Sequence, residues 1–355
     1  MLKTQRLYNQ HITLLHDGNP ATLLSHMGAI QGQDPVGAKW SLGLRLPHNT
    51  EAHIEQAIDN QTIVRTWLMR GTLFMIAARD LRWLLALVAP RVIQQSQRRY
   101  KQLELDETTL TQANEILARA VEDHQRIGRR DLYAILEQHG ISTDGQRGFY
   151  IVRHASLNGH IVHGHVDGND PVFTYFDDPA DTLAPMPREE AIAKLARRYF
   201  ASRGFATEAD FAWWSGFVKK DIQQGIASIK NDLQAVEIDG TTHYTFTDSA
   251  SIPPSQSPVV HALPSFDEYV LGYRDRDTIL DKAYAKRVSR SGVFYSTIVI
   301  DGQIRGNWKA TRKTHSVTVE ITPFTTFSKA EKDAIQRAFA RYSLFLDQPL
   351  NIVFL

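Results

Sequence analysis

One order of local signals occurs three times along the chain: short helical patterns, then two strand-like runs that meet at a turn. In the first pass, Pro20 opens a helical segment with apolar Leu23, Leu24 and Met27, and Gly28 is placed to cap it. A polar stretch, Ala29–Asp34, leads into Pro35, and a second helical pattern follows Thr50 through Ile54, Ala57 and Ile58. Ile63–Ala77 then alternates as two runs meeting at Arg70-Gly71, which predicts a hairpin, and Asp80 caps a helix predicted over Leu81–Val88. In the second pass, helices are predicted over Thr108–Asp123, Gly128–Gln138 and Gly145–Asn158. A hairpin of His160–His165 and Val172–Phe176 follows, around Gly168-Asn169-Asp170. In the third, Arg188–Ser202, Thr207–Trp214 and Lys219–Asn231 precede a hairpin over Ala235–Phe246, whose Asp239-Gly240 is a strong two-residue turn signal. Helices followed by a hairpin are the plan of a winged helix, so the chain reads as three such units in tandem.

After Ser249–Pro258, a linker by composition, the pattern changes. Val259–Leu263, Val293–Ile300, Gly302–Trp308, His315–Ile321 and Asn351–Leu355 read as strands, Asp301-Gly302 as a turn and Lys329–Leu346 as a helix. The expected fold class is therefore α+β: three tandem winged-helix units (residues 1–106, 107–184 and 185–250) followed by a small β-barrel-like domain (259–355).

The 355 residues include no cysteine, which removes disulfides, Cys-based zinc sites, iron–sulfur clusters and thiolate nucleophiles. Gly-rich phosphate loops, G-x-S-x-G elbows and H-E-x-x-H pairs are also missing from the sequence. His163 and His165 would share a strand face near His160, but no carboxylate has a matching position, so neither a metal nor another cofactor is expected. Apolar runs such as Trp83–Pro90 are far too short to span a membrane, and the first residues show no signal-peptide core. A cytoplasmic protein is expected, and its oligomeric state is left open.

Lys and Arg total 40 against 39 Asp and Glu, so net charge is only +1 and the placement of charge matters more than its sum. Basic residues cluster at Arg91, Arg98, Arg99 and Lys101, and again at Arg126, Arg129 and Arg130. Further groups are Arg274 with Arg276, the run Lys282, Lys286, Arg287 and Arg290, and Arg305, Lys309, Arg312 and Lys313. Any one cluster suits a solvated face. Combined with three winged helices, they suit contacts to the phosphates of double-stranded DNA. Asp177, Asp178 and Asp181 suit an acidic face elsewhere.

The segment Gln31-Gly32-Gln33-Asp34-Pro35 carries the candidate chemistry. Pro35 biases Asp34 away from helix, and along extended backbone residues two apart project to one side, which would pair the amides of Gln31 and Gln33. Gly32 between them would let a ligand come close. Spacing alone leaves open that the two glutamines cap helices or hydrate a loop.

The sequence resembles the AlkZ-like family of winged-helix DNA glycosylases over most of its length. The residues that carry the resemblance are Gln31-x-Gln33, Arg65-Thr66-Trp67-Leu68-Met69-Arg70-Gly71-Thr72-Leu73 with Asp80–Leu84, Phe266–Arg276, and Asp301–Trp308. The resemblance implies three winged helices joined to a β-barrel, with the Gln-x-Gln motif required for base excision and facing the DNA. It also implies activity on cationic alkylated purines of the N7-alkylguanine and N3-alkyladenine type, without covalent attachment to the enzyme. The family usually has an aliphatic residue where Gly32 stands. The expected catalytic residues are Gln31 and Gln33, and the expected DNA-binding residues are Arg65, Arg70, Arg274, Arg276, Lys286, Arg287, Arg290 and Lys309. A non-catalytic winged-helix DNA-binding or regulatory protein is the alternative, because winged helices serve there as well.

Overall fold

A computed structural model describes residues 2–164, 170–176, 186–246 and 257–355. The chain divides into two compact units, one made of residues up to 54 with 192–355, the other of residues 55–191. The expected turn at Gly168-Asn169, the acidic residues Asp177, Asp178 and Asp181, His165 and most of the linker lie outside the described residues.

The first unit begins with α1 (Leu2–Asn9), α2 (Pro20–Met27), the two-residue strand β1 (Ile30–Gln31) and α3 (Pro35–Gly43). Asn19 and Thr22 form a capping box at the start of α2, Pro20 fills its first turn, and Leu23, Leu24 and Met27 are buried as the spacing predicts. Helix α3 is absent from the sequence reading, which treats Pro35 only as a break. Proline is equally at home in a helix's first turn, and here Asp34, in extended conformation, accepts the Val36 N–H as the N-cap. Helix α4 (Glu51–Asp59) leads into the second unit.

The second unit starts with the hairpin of β2 (Ile63–Trp67) and β3 (Leu73–Ala77), paired from Ile63↔Ala77 to Trp67↔Leu73. Arg70 and Gly71 turn the chain with φ of 56° and 67°. Helix α5 (Leu81–Gln102) is far longer than predicted. It runs through Pro90, because Leu84, Leu85, Val88, Val92 and Tyr100 are buried along its length and that packing outweighs one lost hydrogen bond. Next come α6 (Glu107–His124), β4 (Arg126–Gly128), α7 (Arg129–Gln138), α8 (Arg147–Leu157), β5 (Val162–His163) and β6 (Val172–Thr174). These strands lie side by side in the order β3-β2-β5-β6-β4, with Arg65 opposite His163 where the hairpins meet. The first two repeats therefore share a sheet.

The first unit resumes within α9 (Arg188–Arg203) and continues through α10 (Glu208–Ser215), α11 (Lys219–Ser228) and the separate hairpin of β7 (Leu233–Ile238) and β8 (Thr241–Phe246). Asp239 and Gly240 both take positive φ, 49° and 71°, as the two-residue turn requires. Then follow β9 (Val260–Leu263), α12 (Glu268–Leu271), α13 (Ala285–Val288), the small hairpin β10 (Ser289–Arg290) and β11 (Val293–Phe294), β12 (Thr297–Ile300), β13 (Gln303–Lys313), β14 (Ser316–Pro323), α14 (Lys329–Leu346) and β15 (Leu350–Phe354).

The C-terminal strands order as β15-β14-β13-β12-β9. This is an open five-stranded sheet, not the expected barrel. The reason is α14: a helical crossover from β14 lays β15 parallel beside it, at an edge, instead of returning the chain to β9. Phe339, Tyr342 and Phe345 of α14 are buried, and Trp40 of α3 packs 4.9 Å from the Tyr342 ring and donates its indole N–H to Ala262 O at 2.9 Å. Helix α3 is thereby fixed to the sheet. Among the described residues, no helix is long and apolar enough to cross a membrane.

Candidate functional site

The segment joining α2 to α3 carries both glutamines. Gly28 ends α2 with φ 77° and ψ −50°, a conformation open to glycine, and the chain turns there into β1. Gln31 lies in β1 and is 6% exposed, whereas Gln33 lies in a bend before α3 and is exposed. The extended backbone expected of residues 31–33 is thus a strand only as far as Gln31, and the two side chains stand in different surroundings.

Two buried ion pairs flank this segment. The Glu268 carboxylate accepts the Gln31 backbone N–H at 2.8 Å through Oε1, and through Oε2 accepts Arg203 Nη2 at 2.7 Å and the Trp214 indole N–H at 2.9 Å. Arg203 also donates to Met27 O at 2.7 Å and Ala29 O at 3.0 Å. The preceding residue, Asp267, takes a two-point ion pair from Arg45 at 2.8 and 2.9 Å, together with the Ser41 hydroxyl and the Tyr269 N–H. Burial alone would raise the Asp267 carboxyl, but the Arg45 guanidinium and these hydrogen bonds hold it below the usual carboxylate value. Ser265 donates to Asp34 Oδ2, the cap of α3. Four residues, Ser265 to Glu268, therefore contact the start of α3, its far end and β1.

Within Phe266–Arg276, which carries the family resemblance, nothing in the sequence assigns Asp267 or Glu268 a role. Adjacent acids before an apolar run are the visible signal. Their arginine partners, Arg45 and Arg203, are 222 and 65 positions away.

The expected DNA-binding residues divide by exposure. Arg274, Lys286, Arg287, Arg290 and Lys309 are exposed on the first unit. Arg287 and Lys309 line one cavity of about 440 Å³, and Arg274 and Arg276 line another of about 790 Å³. Arg276 is half-buried, donates to Val270 O at 2.7 Å and lies 5.1 Å from the Phe294 ring. In the second unit Arg65 is 8% exposed within a wholly buried strand, and Arg70 is half-buried at the hairpin turn.

His163 and the cluster of His11, His16 and His26 behave as packing groups. His163 is 3% exposed between the rings of Trp67 and Phe173, each 4.6 Å away, and burial drives its pKa well below the ordinary value. His11 packs against His16 and His26 at 4.8 and 4.7 Å, a cluster the sequence does not announce. Among the described residues, no group of three or more metal-ligating side chains is arranged to hold an ion.

A family model described as DNA glycosylase AlkZ-like matches residues 24–345. The chain is similar to the interstrand DNA cross-link repair glycosylase of Streptomyces sahachiroi, with 21% identity over 94% of this chain and 93% of that protein. The structure of the Streptomyces sahachiroi DNA glycosylase AlkZ matches with a TM-score of 0.77 at 20% identity, over 99% of this chain and 98% of that one, which shows a common fold.

Proposed function

Because the chain belongs to the AlkZ-like DNA glycosylase family, we propose that it excises cationic alkylated purines from double-stranded DNA, with Gln31 and Gln33 as its catalytic residues. Alkylation at N7 of guanine or N3 of adenine places a positive charge on the base and weakens its bond to the sugar. Such a base leaves without a general acid, so a side chain that exchanges no proton suffices. A glutamine carbonyl holds the water that attacks the sugar C1′ carbon, and a glutamine N–H donates to sugar or phosphate oxygen. The burial of Gln31 suits the first task and the exposure of Gln33 the second. Water takes the base's place on the sugar and loses a proton to solvent, the base departs as a neutral molecule with the bonding electron pair, and an abasic site remains. No lysine adduct enters the scheme. Interstrand cross-links through purine N7 present the same cationic leaving group, and the relative's name places it in their repair; we include them as substrates.

The observation that carries this reading is the family match spanning a Gln-x-Gln segment held on the Gln31 side by the buried Glu268 carboxylate and followed by Asp34, which accepts the Ser265 hydroxyl. The exposed Arg274, Lys286, Arg287, Arg290 and Lys309 are assigned to phosphates, and the repeated helix–hairpin units to a winged-helix role on the duplex. Duplex DNA carrying N7-methylguanine, incubated with the protein and then cleaved with alkali, tests the reading. A strand break at the lesion is expected, Gln31→Ala and Gln33→Ala should each reduce it with DNA affinity nearly intact, and no break with the unaltered protein rejects it. Sequence-selective binding that ignores lesions would identify a regulator instead.

A further inference from the structure

A two-residue strand cannot hold its own geometry, and Gln31 sits at the end of one. Along extended backbone, the C=O of one residue and the N–H of the residue two further on face the same edge. On that edge, Ala29 O accepts from Arg203 at 3.0 Å and the Gln31 N–H donates to Glu268 at 2.8 Å. The ion pair thus takes up both of these backbone groups, and Arg203 reaches back to Met27 O at 2.7 Å as well. Three backbone points from 27 to 31 are tied to one buried pair.

That pair is itself fixed. Arg203 lies 4.5 Å from the Trp214 ring and 5.5 Å from the Tyr199 ring, and Tyr199 donates its hydroxyl to Gly272 O at 2.7 Å. A Cβ on Gly272 would stand 3.1 Å from both Cδ and Nε of Arg203, so a larger residue there would crowd the guanidinium. Trp214 closes the carboxylate's remaining side. Burial makes each contact strong and leaves Glu268 no alternative partner in water.

We propose that Glu268, locked by Arg203, is the positioning residue that sets the backbone of Gln31 and through it the direction of the Gln31 amide toward the attacked sugar. The proposal rests on the reading of Gln31 as a catalytic group. Glu268 touches no substrate; it acts through a main-chain hydrogen bond. Because a shift of about 1 Å in a reacting group can cost about a hundredfold in rate, a shortened carboxylate should be felt in excision and not in DNA affinity.

The test measures single-turnover excision of N7-methylguanine from duplex DNA with Glu268→Asp, Gln31→Ala and the double variant. Glu268→Asp keeps the charge beside Arg203 while withdrawing the acceptor from Gln31. Its rate should fall about tenfold or more, with affinity for the same duplex within about twofold. In the Gln31→Ala background, Glu268→Asp should cost nothing further. Hydrogen exchange of the amides from 29 to 33 should be faster in Glu268→Asp, whatever the activity. Unchanged exchange, an unchanged rate beside an impaired Gln31→Ala, or equal slowing in both backgrounds overturns the proposal. Full activity of Gln31→Ala instead overturns the reading of Gln31, and the proposal with it. Trp214→Phe, which removes one donor from Glu268 Oε2 and keeps an aromatic ring, provides a milder variant. It should show a smaller slowing with the same dependence on Gln31.

Discussion

Glu268 Oε1 lies 2.8 Å from the backbone nitrogen of Gln31, across 237 positions of sequence. Its chain neighbour Asp267 points elsewhere, to Arg45 and Ser41 of the α3 segment. Both acids are fully buried, so their oxygens bond protein groups and not solvent, and with Ser265 they contact the chain's opening segment at three places. The outcome is one short catalytic-candidate segment supported from its two ends by a distant piece of chain.

The Arg45–Asp267 pair has no exposed surface on either side chain. Removing one partner leaves the other charged and dry, which costs about 3–5 kcal/mol, whereas removing both charges is far milder. Asp267→Asn should therefore lower the stability of the first unit by that amount. Adding Arg45→Met to it should restore part of the loss, because no uncompensated charge remains. Urea unfolding followed by tryptophan fluorescence measures both. A double variant less stable than Asp267→Asn would contradict the account.

Local chemistry was legible wherever it closed on itself. Asp239-Gly240 and Asp301-Gly302 turn with positive φ as their dipeptides require, and α14 starts at the Ser328–Glu331 capping box and fills Lys329–Leu346 as its periodicity predicts. What failed depended on distant packing. Pro90 stops a helix in sequence terms, yet buried residues on both sides carry α5 through it. Five strands were counted after residue 258, but nothing in β15 says that it will lie parallel to β14 and leave the sheet open. At the candidate site, spacing drew attention to Gln31 and Gln33 but left a capping or solvated role open, and the catalytic role came from the family resemblance. Arg203 and Glu268 could not be picked by spacing, since an ion pair between residues 65 positions apart has no local signature.

Acid should unfold the protein without a titrating catalytic group being involved. Burial lowers His261 to about 4, helped by Arg341 and Arg45 and opposed by Asp267, and burial also lowers His154 and His11 to about 4. These folded values lie below the ordinary 6.5, so each unfolded histidine takes up a proton that its folded form refuses. Their contribution to stability is fully present above about pH 6.5 and is lost as pH falls toward 4. Melting temperature should decline through that window, and His261→Gln should flatten the decline. Glutamine has no proton to exchange, so single-turnover excision should stay level across neutral and mildly alkaline pH. A bell-shaped rate profile there would point to an acid–base residue and count against Gln31 and Gln33.

Salt dependence separates the arginines and lysines that meet phosphate from those that hold the fold. Each phosphate neutralised on duplex DNA adds about 0.9 to the slope of log K against log salt. Lys309 and Arg290 are exposed, so Lys309→Ala and Arg290→Ala should each reduce that slope by about 1, weaken binding for any duplex sequence, and leave melting temperature unchanged. Arg276 is different: its Nε is committed to Val270 O and its guanidinium packs on Phe294. Arg276→Ala should lower the melting temperature by loss of packing and a buried hydrogen bond while moving the slope less than either exposed residue does. Fluorescence anisotropy of a labelled duplex from 50 to 200 mM salt, about the range over which such contacts change affinity by orders of magnitude, gives the three slopes. Equal slopes for Lys309→Ala, Arg290→Ala and the unaltered protein would remove both residues from the DNA-contacting surface, because a cation that neutralises no phosphate releases no counterion.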